Sequence, residues 1–162
     1  MTHFRFALVC AGLWLGAYPL SGAAQTPAAQ APGPLVIGET FTLRSSTLGE
    51  IRRINVYLPP VYADSHGVRL PVLYMPDGGV AEDFVHVAGL VQVLVGNGGM
   101  RPFLLVGIEN TERRRDLTPE TKTEKDKTIA PRVGGAVAFR AFLHELIPVI
   151  DARYQTTSEQ GI

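Results

Sequence analysis

The sequence predicts an α/β fold with a mixed sheet, and three observations predict it. The run Phe103-Leu104-Leu105-Val106-Gly107-Ile108 is apolar throughout, as expected of a strand buried on both faces of a helix-covered parallel sheet. Two later stretches repeat apolar residues at helical spacing: Phe84, Val87, Leu90, Val91 and Leu94, then Phe139, Phe142, Leu143, Leu146, Ile147 and Ile150. Two strand-like stretches near residue 40 and residue 55 are joined by a short turn, which favours an antiparallel hairpin. The order is hairpin, strand, helix, strand, long loop, helix.

The elements follow in order. Val36 to Leu43 alternates loosely and includes Phe41 and Thr42, so it reads as a strand. Ser45-Ser46-Thr47-Leu48-Gly49 is a turn. Ile51 to Leu58 is the second strand, with Ile54, Val56 and Leu58 on one face and Asn55 and Tyr57 on the other. Pro59-Pro60 stops it. Tyr62 to Arg69 reads as a polar loop. Leu70 to Met75 is the third strand, with Pro71 near its start, where proline is tolerated. Pro76-Asp77-Gly78-Gly79 breaks it sharply. Ala81 to Val95 is a helix ended by Gly96-Asn97-Gly98-Gly99. Phe103 to Ile108 is the fourth strand. Glu109 to Arg132 is a loop, more than half of its residues charged, with no periodicity of strand or helix. Gly134-Gly135 opens the second helix, Ala136 to about Tyr154, in which Pro148 removes a backbone donor and predicts a kink. A crossover from that helix requires a further strand, and none follows within the 162 residues.

Residues 1–24 read as a secretory signal peptide. Arg5 gives a short basic start, Phe6 to Leu20 is apolar, and Ser21-Gly22-Ala23-Ala24 offers small residues for cleavage. An apolar stretch of about 15 residues is short for a bilayer span of ~20. Residues 25–35 form a flexible Ala/Pro leader with little to bury. Residues 36–162 suffice for one domain with a core of its own. The single cysteine, Cys10, falls in the segment to be removed, which leaves no disulfide and no cysteine metal site. The chain carries 15 Lys and Arg against 15 Asp and Glu. Losing Arg5 leaves one more acidic than basic residue, a balance that gives no reason to expect nucleic acid or an anionic membrane as partner.

Ligands of such sheets bind beyond the carboxyl ends of the strands. Two clusters fall there. Asp77-Gly78-Gly79 ends the third strand, and Glu109-Asn110-Thr111-Glu112-Arg113-Arg114-Arg115-Asp116 follows the fourth. Glycines let a backbone approach a substrate closely, although an ordinary strand-to-helix turn would use them as well. Guanidinium forks of Arg113, Arg114 and Arg115 suit an anionic or hydroxyl-rich substrate. Equally, Arg113 or Arg115 could pair with Asp116 and brace the loop. No paired His or carboxylate spacing resembles a metal-ligand set, and no glycine loop suited to phosphate opens a helix. No cofactor is expected. Reading His86, Asp116 and Ser158 as a chymotrypsin-like order fails, because Ser158 sits in Thr156-Thr157-Ser158-Glu159 with no glycine-rich nucleophile turn.

Four ordered segments resemble the esterase branch of the α/β-hydrolases that includes esterase D, enterochelin-type esterases and bacterial mycolyltransferases. They are Ile54-Asn55-Val56-Tyr57-Leu58-Pro59, then Pro71-Val72-Leu73-Tyr74-Met75-Pro76-Asp77-Gly78-Gly79, then Ile108-Glu109-Asn110-Thr111 with Arg113, Arg115 and Asp116-Leu117-Thr118-Pro119, and finally Phe139 to Tyr154 with Glu145-Leu146-Ile147-Pro148 and Ile150-Asp151. The resemblance covers roughly residues 38 to 162. It implies a three-layer α/β-hydrolase sandwich, with strands ordered first, second, fourth, third and then the nucleophile strand. It implies a serine acyl-enzyme mechanism on a small-molecule ester. Gly79 would supply a backbone oxyanion donor and Gly78 would shape its turn, with Asp77, Arg113, Arg115 and Asp116 as the substrate-binding candidates. The family's serine lies in a G-x-S-x-G elbow, followed by the acid and the histidine. No such elbow occurs here, and His66, His86 and His144 all precede its place, so they read as structural or surface residues.

The expectation is therefore the N-terminal part of a secreted or periplasmic esterase, truncated before the nucleophile elbow, inactive by itself, and open to self-association along strand 70–75. The alternative is a non-catalytic truncated homologue acting as a binding or partner-dependent protein.

Overall fold

The computed structural model describes residues 31–65, 67–129 and 133–157. The signal-peptide segment with Cys10, most of the leader, His66 and Ser158 lie outside the described residues. The chain divides into two units, Met1–Pro34 and Leu35–Ile162, and every strand and helix described belongs to the second.

Among the described residues, four strands form one sheet: β1 (Glu39–Arg44), β2 (Ile51–Tyr57), β3 (Val72–Met75) and β4 (Leu104–Ile108). Their spatial order is β1-β2-β4-β3. β1 pairs antiparallel with β2, β2 antiparallel with β4, and β3 parallel with β4. This is the mixed sheet and the strand order expected. The hairpin turn closes with the Ser45 N–H donating to the Glu50 carbonyl at 2.9 Å.

Among the described residues, five helices accompany the sheet: α1 (Pro60–Asp64), α2 (Phe84–Gly96), α3 (Arg113–Leu117), α4 (Glu124–Ile129) and α5 (Ala136–Arg153). α1 replaces the start of the expected polar loop. Pro60 at its first position needs no amide partner and has φ already set for a helix. α3 and α4 replace parts of the loop 109–132. Helices of one to two turns leave no periodic trace in sequence, so their absence from the sequence reading has a physical cause. α5 is continuous through Pro148.

Each face of the sheet carries its own core. On one face Ile54, Val56, Leu104, Val106 and Ile108 meet Phe139, Phe142, Leu146 and Ile150 of α5. On the other, Tyr57 and Leu105 meet Phe84, Ala88 and Val91 of α2. β4 alternates between the two cores residue by residue, as the period of a strand dictates, and all five of its residues are buried. Phe142, Leu146 and Ile150 are fully buried, each contributing about 1.5–3 kcal/mol relative to exposure. The helical stripe expected on α2 is only half correct. Leu90 and Leu94 are 60% and 41% exposed, and Ala88 takes the buried place, because the face of α2 turned to the sheet runs through Phe84, Ala88 and Val91.

Candidate active site

The candidate site lies where β3 and β4, adjacent and parallel, both end. Asp77 follows β3 with φ +56°, a left-handed conformation that Asp tolerates better than most residues. Gly78 then passes against β4: its N–H donates to the Ile108 carbonyl at 3.0 Å, and its carbonyl accepts from Asn55 Nδ2 at 2.7 Å. No side chain fits at that contact, since a Cβ on Gly78 would fall 2.2 Å from Ile108 N. Gly79 begins the turn into α2, its carbonyl accepting the Glu82 N–H at 3.0 Å.

A cleft of about 410 Å³ opens beside this turn, lined by Arg53, Asn55, Gly79, Glu82, Glu109 and Asn110 among others. The Gly79 N–H, the expected oxyanion donor, borders it. That N–H is engaged, donating to Glu82 Oε2 at 2.6 Å. Asn110, the second residue beyond β4, reaches the same group. Its Nδ2 donates to Glu82 Oε1 at 2.9 Å and to Asp77 Oδ1 at 2.5 Å.

Arg113 grips Asp77 with a two-pronged contact, Nε to Oδ1 at 2.6 Å and one terminal nitrogen to Oδ2 at 3.0 Å. The pairing holds the Asp77 carboxyl below its ordinary range, with Asn110 adding to the effect, and raises the Arg113 guanidinium. Arg115 and Asp116 stand apart from the cleft lining. Asp116 is 1% exposed, and its oxygens accept from Arg52 at 2.5 Å and Arg115 at 2.7 Å. Arg115 also meets Glu50 at 2.7 Å, as does Arg52. Burial raises the Glu50 carboxyl, but hydrogen bonds from Arg115 and Thr111 and the charge of Arg52 outweigh it, so the net shift is downward. This four-residue charge cluster ties β2 to α3. The guanidinium of Arg52 also lies over the Phe139 and Phe142 rings, 5.7 and 5.9 Å from their centroids. The loop after β4 is thereby braced against α5.

The structure thus brings Asp77, Gly78, Gly79 and Arg113 together at one rim and places Arg115 and Asp116 in a brace behind it. His86 and His144 are exposed on their helices. Sequence reasoning missed Glu82, Asn55, Arg53 and the site role of Asn110. Asn110 had a usable signal, since it follows the buried strand directly. Glu82 had a weaker one, three residues after Gly79 and so across one turn. Among the described residues, no group of three His, Cys, Asp or Glu side chains gathers to hold a metal ion.

Comparison with known proteins identifies the family and the fold. Residues 45–162 match the model of the Esterase family, described as "Putative esterase". The fold resembles an IroE-like serine hydrolase from Shewanella oneidensis, with 33% identity and a TM-score of 0.60 over 74% of this chain and 39% of that one. It resembles the BES protein from Bacillus cereus at 24% identity and a TM-score of 0.62, covering 81% and 52% of the two chains. It also resembles the siderophore hydrolase EstA from Aspergillus nidulans at 18% identity and a TM-score of 0.63, covering 80% and 49%. In each case the chain spans about half of the relative's length or less. None of the curated proteins matches by sequence. With more than half of its length matched by the family and its sheet ordered as expected, this chain belongs to the esterase family and has an α/β-hydrolase-like fold.

Proposed function

We propose that these residues form the N-terminal, donor-bearing part of an exported carboxylic-ester hydrolase that works through a serine acyl-enzyme. Residues 1–24 address it for export to the periplasm or medium. The substrate is a small-molecule ester, bound in the cleft at the ends of β3 and β4. Gly79 contributes one N–H to the developing oxyanion, and Gly78 sets its position by packing on β4. Asp77 and Arg113 form the substrate-facing rim, with Arg115 and Asp116 holding the loop in place behind them. The serine that attacks the ester is not among residues 1–162, which contain no G-x-S-x-G.

The observation that carries this reading is the Gly79 N–H, rigidly placed beside a cleft and able to hold an oxygen anion at 2.6 Å. Oxyanion stabilisation requires such a preorganised donor about 3 Å from the charge. Membership of the family and likeness to a serine hydrolase support it.

The test is hydrolysis of p-nitrophenyl acetate by the 162-residue chain and by the product of the reading frame continued past codon 162. Hydrolysis confined to the longer product, and abolished by alanine at the serine of its elbow, supports the reading. Robust hydrolysis by the 162-residue chain, or a stop codon directly after residue 162 in an intact transcript, overturns it.

A further inference from the structure

Three donors from two loops converge on one carboxylate. Glu82 Oε2 accepts the Gly79 N–H at 2.6 Å, and Oε1 accepts Asn110 Nδ2 at 2.9 Å. The Asn110 backbone N–H points at the same group, 3.3 Å from Oε1 and 3.4 Å from Oε2. Hydrogen bonds from amides to an ionised oxygen are the strong kind.

These donors keep their positions without help from the Glu82 side chain. Main-chain bonds fix the turn: Gly78 N–H to the Ile108 carbonyl, Asp83 N–H to the Asp77 carbonyl, and Glu82 N–H to the Gly79 carbonyl, each at 3.0 Å. The Asn110 amide has a second acceptor in Asp77 Oδ1. Removing the Glu82 carboxylate would therefore leave a preformed set of N–H groups facing the cleft. Such groups demand a partner, because an uncovered donor is costly.

We propose that Glu82 is a built-in latch: its carboxylate occupies the anion cradle formed by Gly79 and Asn110, and a ligand oxygen anion takes the same donors only by displacing it. The ligand class is a small monoanion, a carboxylate or the oxyanion of an acyl group. The side chain can leave because three rotatable bonds separate its carboxylate from the fixed backbone. It is also only partly buried at the cleft wall. Glu82 is a positioning residue in this scheme. It sets which anions can enter, and it keeps the donors paired until one does. The proposal rests on the reading of Gly79 as the oxyanion donor, but its test needs no nucleophile.

The experiment uses the whole 162-residue chain labelled with ¹⁵N-glycine, with the Gly79 signal assigned through Gly79→Ala. Acetate is the probe. In the wild type the Gly79 amide proton should resonate far downfield, move upfield in Glu82→Ala, and return downfield when acetate is added. Acetate should bind Glu82→Ala at least tenfold more tightly than the wild type. Glu82→Gln keeps the shape with a neutral, weaker acceptor and should bind with intermediate affinity. Unchanged signals from Gly107, in the core of the sheet, establish that each variant is folded. If Glu82→Ala does not fold, the Glu82→Gln comparison decides alone. An unchanged Gly79 signal in the folded variants, or equal or no binding of acetate by wild type and variants, overturns the latch. That result leaves the esterase reading standing, because hydrolysis by the longer product tests it separately.

Discussion

The backbones of Gly78 and Gly107 touch. A Cβ on Gly78 would stand 2.3 Å from Gly107 Cα, and a Cβ on Gly107 would stand 2.6 Å from the Gly78 carbonyl oxygen. This contact between the turn after β3 and the penultimate residue of β4 sets where the Gly79 N–H points. It also explains why an otherwise bulky buried strand contains a glycine.

Gly78→Ala and Gly107→Ala should each therefore destabilise the domain by about 2 kcal/mol or more, the range for forcing an extra methyl into a packed contact. The nearest atoms are main chain, which cannot swing aside, joined at Gly107 by the buried Phe84 ring. Gly89→Ala is the control. It sits on the exposed side of α2 with nothing within 4 Å of a new Cβ, and it should stabilise slightly through helix propensity. Urea unfolding midpoints separate the three. Similar midpoints for all of them would remove the contact from the account.

The buried charge cluster gives a second expectation. Arg52→Met removes a fully buried cation from Asp116, which is also buried. Breaking such a pair on one side costs about 3–5 kcal/mol. Adding Asp116→Asn should restore part of the loss, since Arg115 alone would otherwise have to balance both Asp116 and Glu50. A double-mutant cycle by urea unfolding should show coupling of about 1 kcal/mol or more. Strict additivity would mean that the two residues act independently.

Acid should release the β1–β2 turn from α5. Glu145 Oε1 accepts from Ser46 Oγ at 2.5 Å, Thr47 N–H at 2.9 Å and Thr47 Oγ1 at 2.6 Å. Chiefly through Ser46, then Thr47 and Ser45, the carboxyl falls from 4.5 to about 2. A lowered folded-state value means that the contribution to stability is complete above the unfolded value. It is lost as pH falls from there toward 2. The Thr47 amide shift should hold steady from pH 7 to 5 and titrate with a midpoint near the lowered value. Glu145→Gln should abolish that titration. A midpoint at an ordinary carboxylate value would show that the three hydrogen bonds do not persist in solution.

Self-association is proposed along β3. Among the described residues, β3 has one strand neighbour, β4. The adjacent Leu70 is already engaged, its N–H donating to Gln155 and its carbonyl accepting from Thr157. The open stretch is thus narrower than the expected 70–75: it is Val72–Met75, where Leu73 is 47% exposed. Apolar open edges recruit further strands. Light scattering should show concentration-dependent growth in mass, and Leu73→Lys should suppress it. A monomer at all concentrations in both proteins would count against edge pairing.

The sequence alone was enough to determine the two-sided burial of β4, the hairpin of β1 and β2 and the long helix α5, and it named the strand ends where the candidate site is proposed. Each of these rests on local pattern: an unbroken apolar run, a short turn between alternating stretches, a period of 3.6, and a cluster of charge past a strand end. The glycines at 78 and 79 were legible as a sharp turn, but only the structure shows Gly78 packed against the β4 backbone. Tertiary structure decided the rest, because the partners are distant along the chain. Arg52 on β2 shares the face of Ile54 and Val56, and nothing local names its partner; Asp116, 64 residues later, supplies it. Leu90 and Leu94 fit the apolar stripe of α2, yet the face turned to the sheet runs through Phe84, Ala88 and Val91 and leaves them uncovered. Glu82 reads as a surface acid at a helix entrance. Only the meeting of the β3 and β4 ends places the Gly79 and Asn110 donors on its carboxylate. Periodicity reports which face of an element is apolar, whereas the pairing of charges depends on which elements the chain brings side by side.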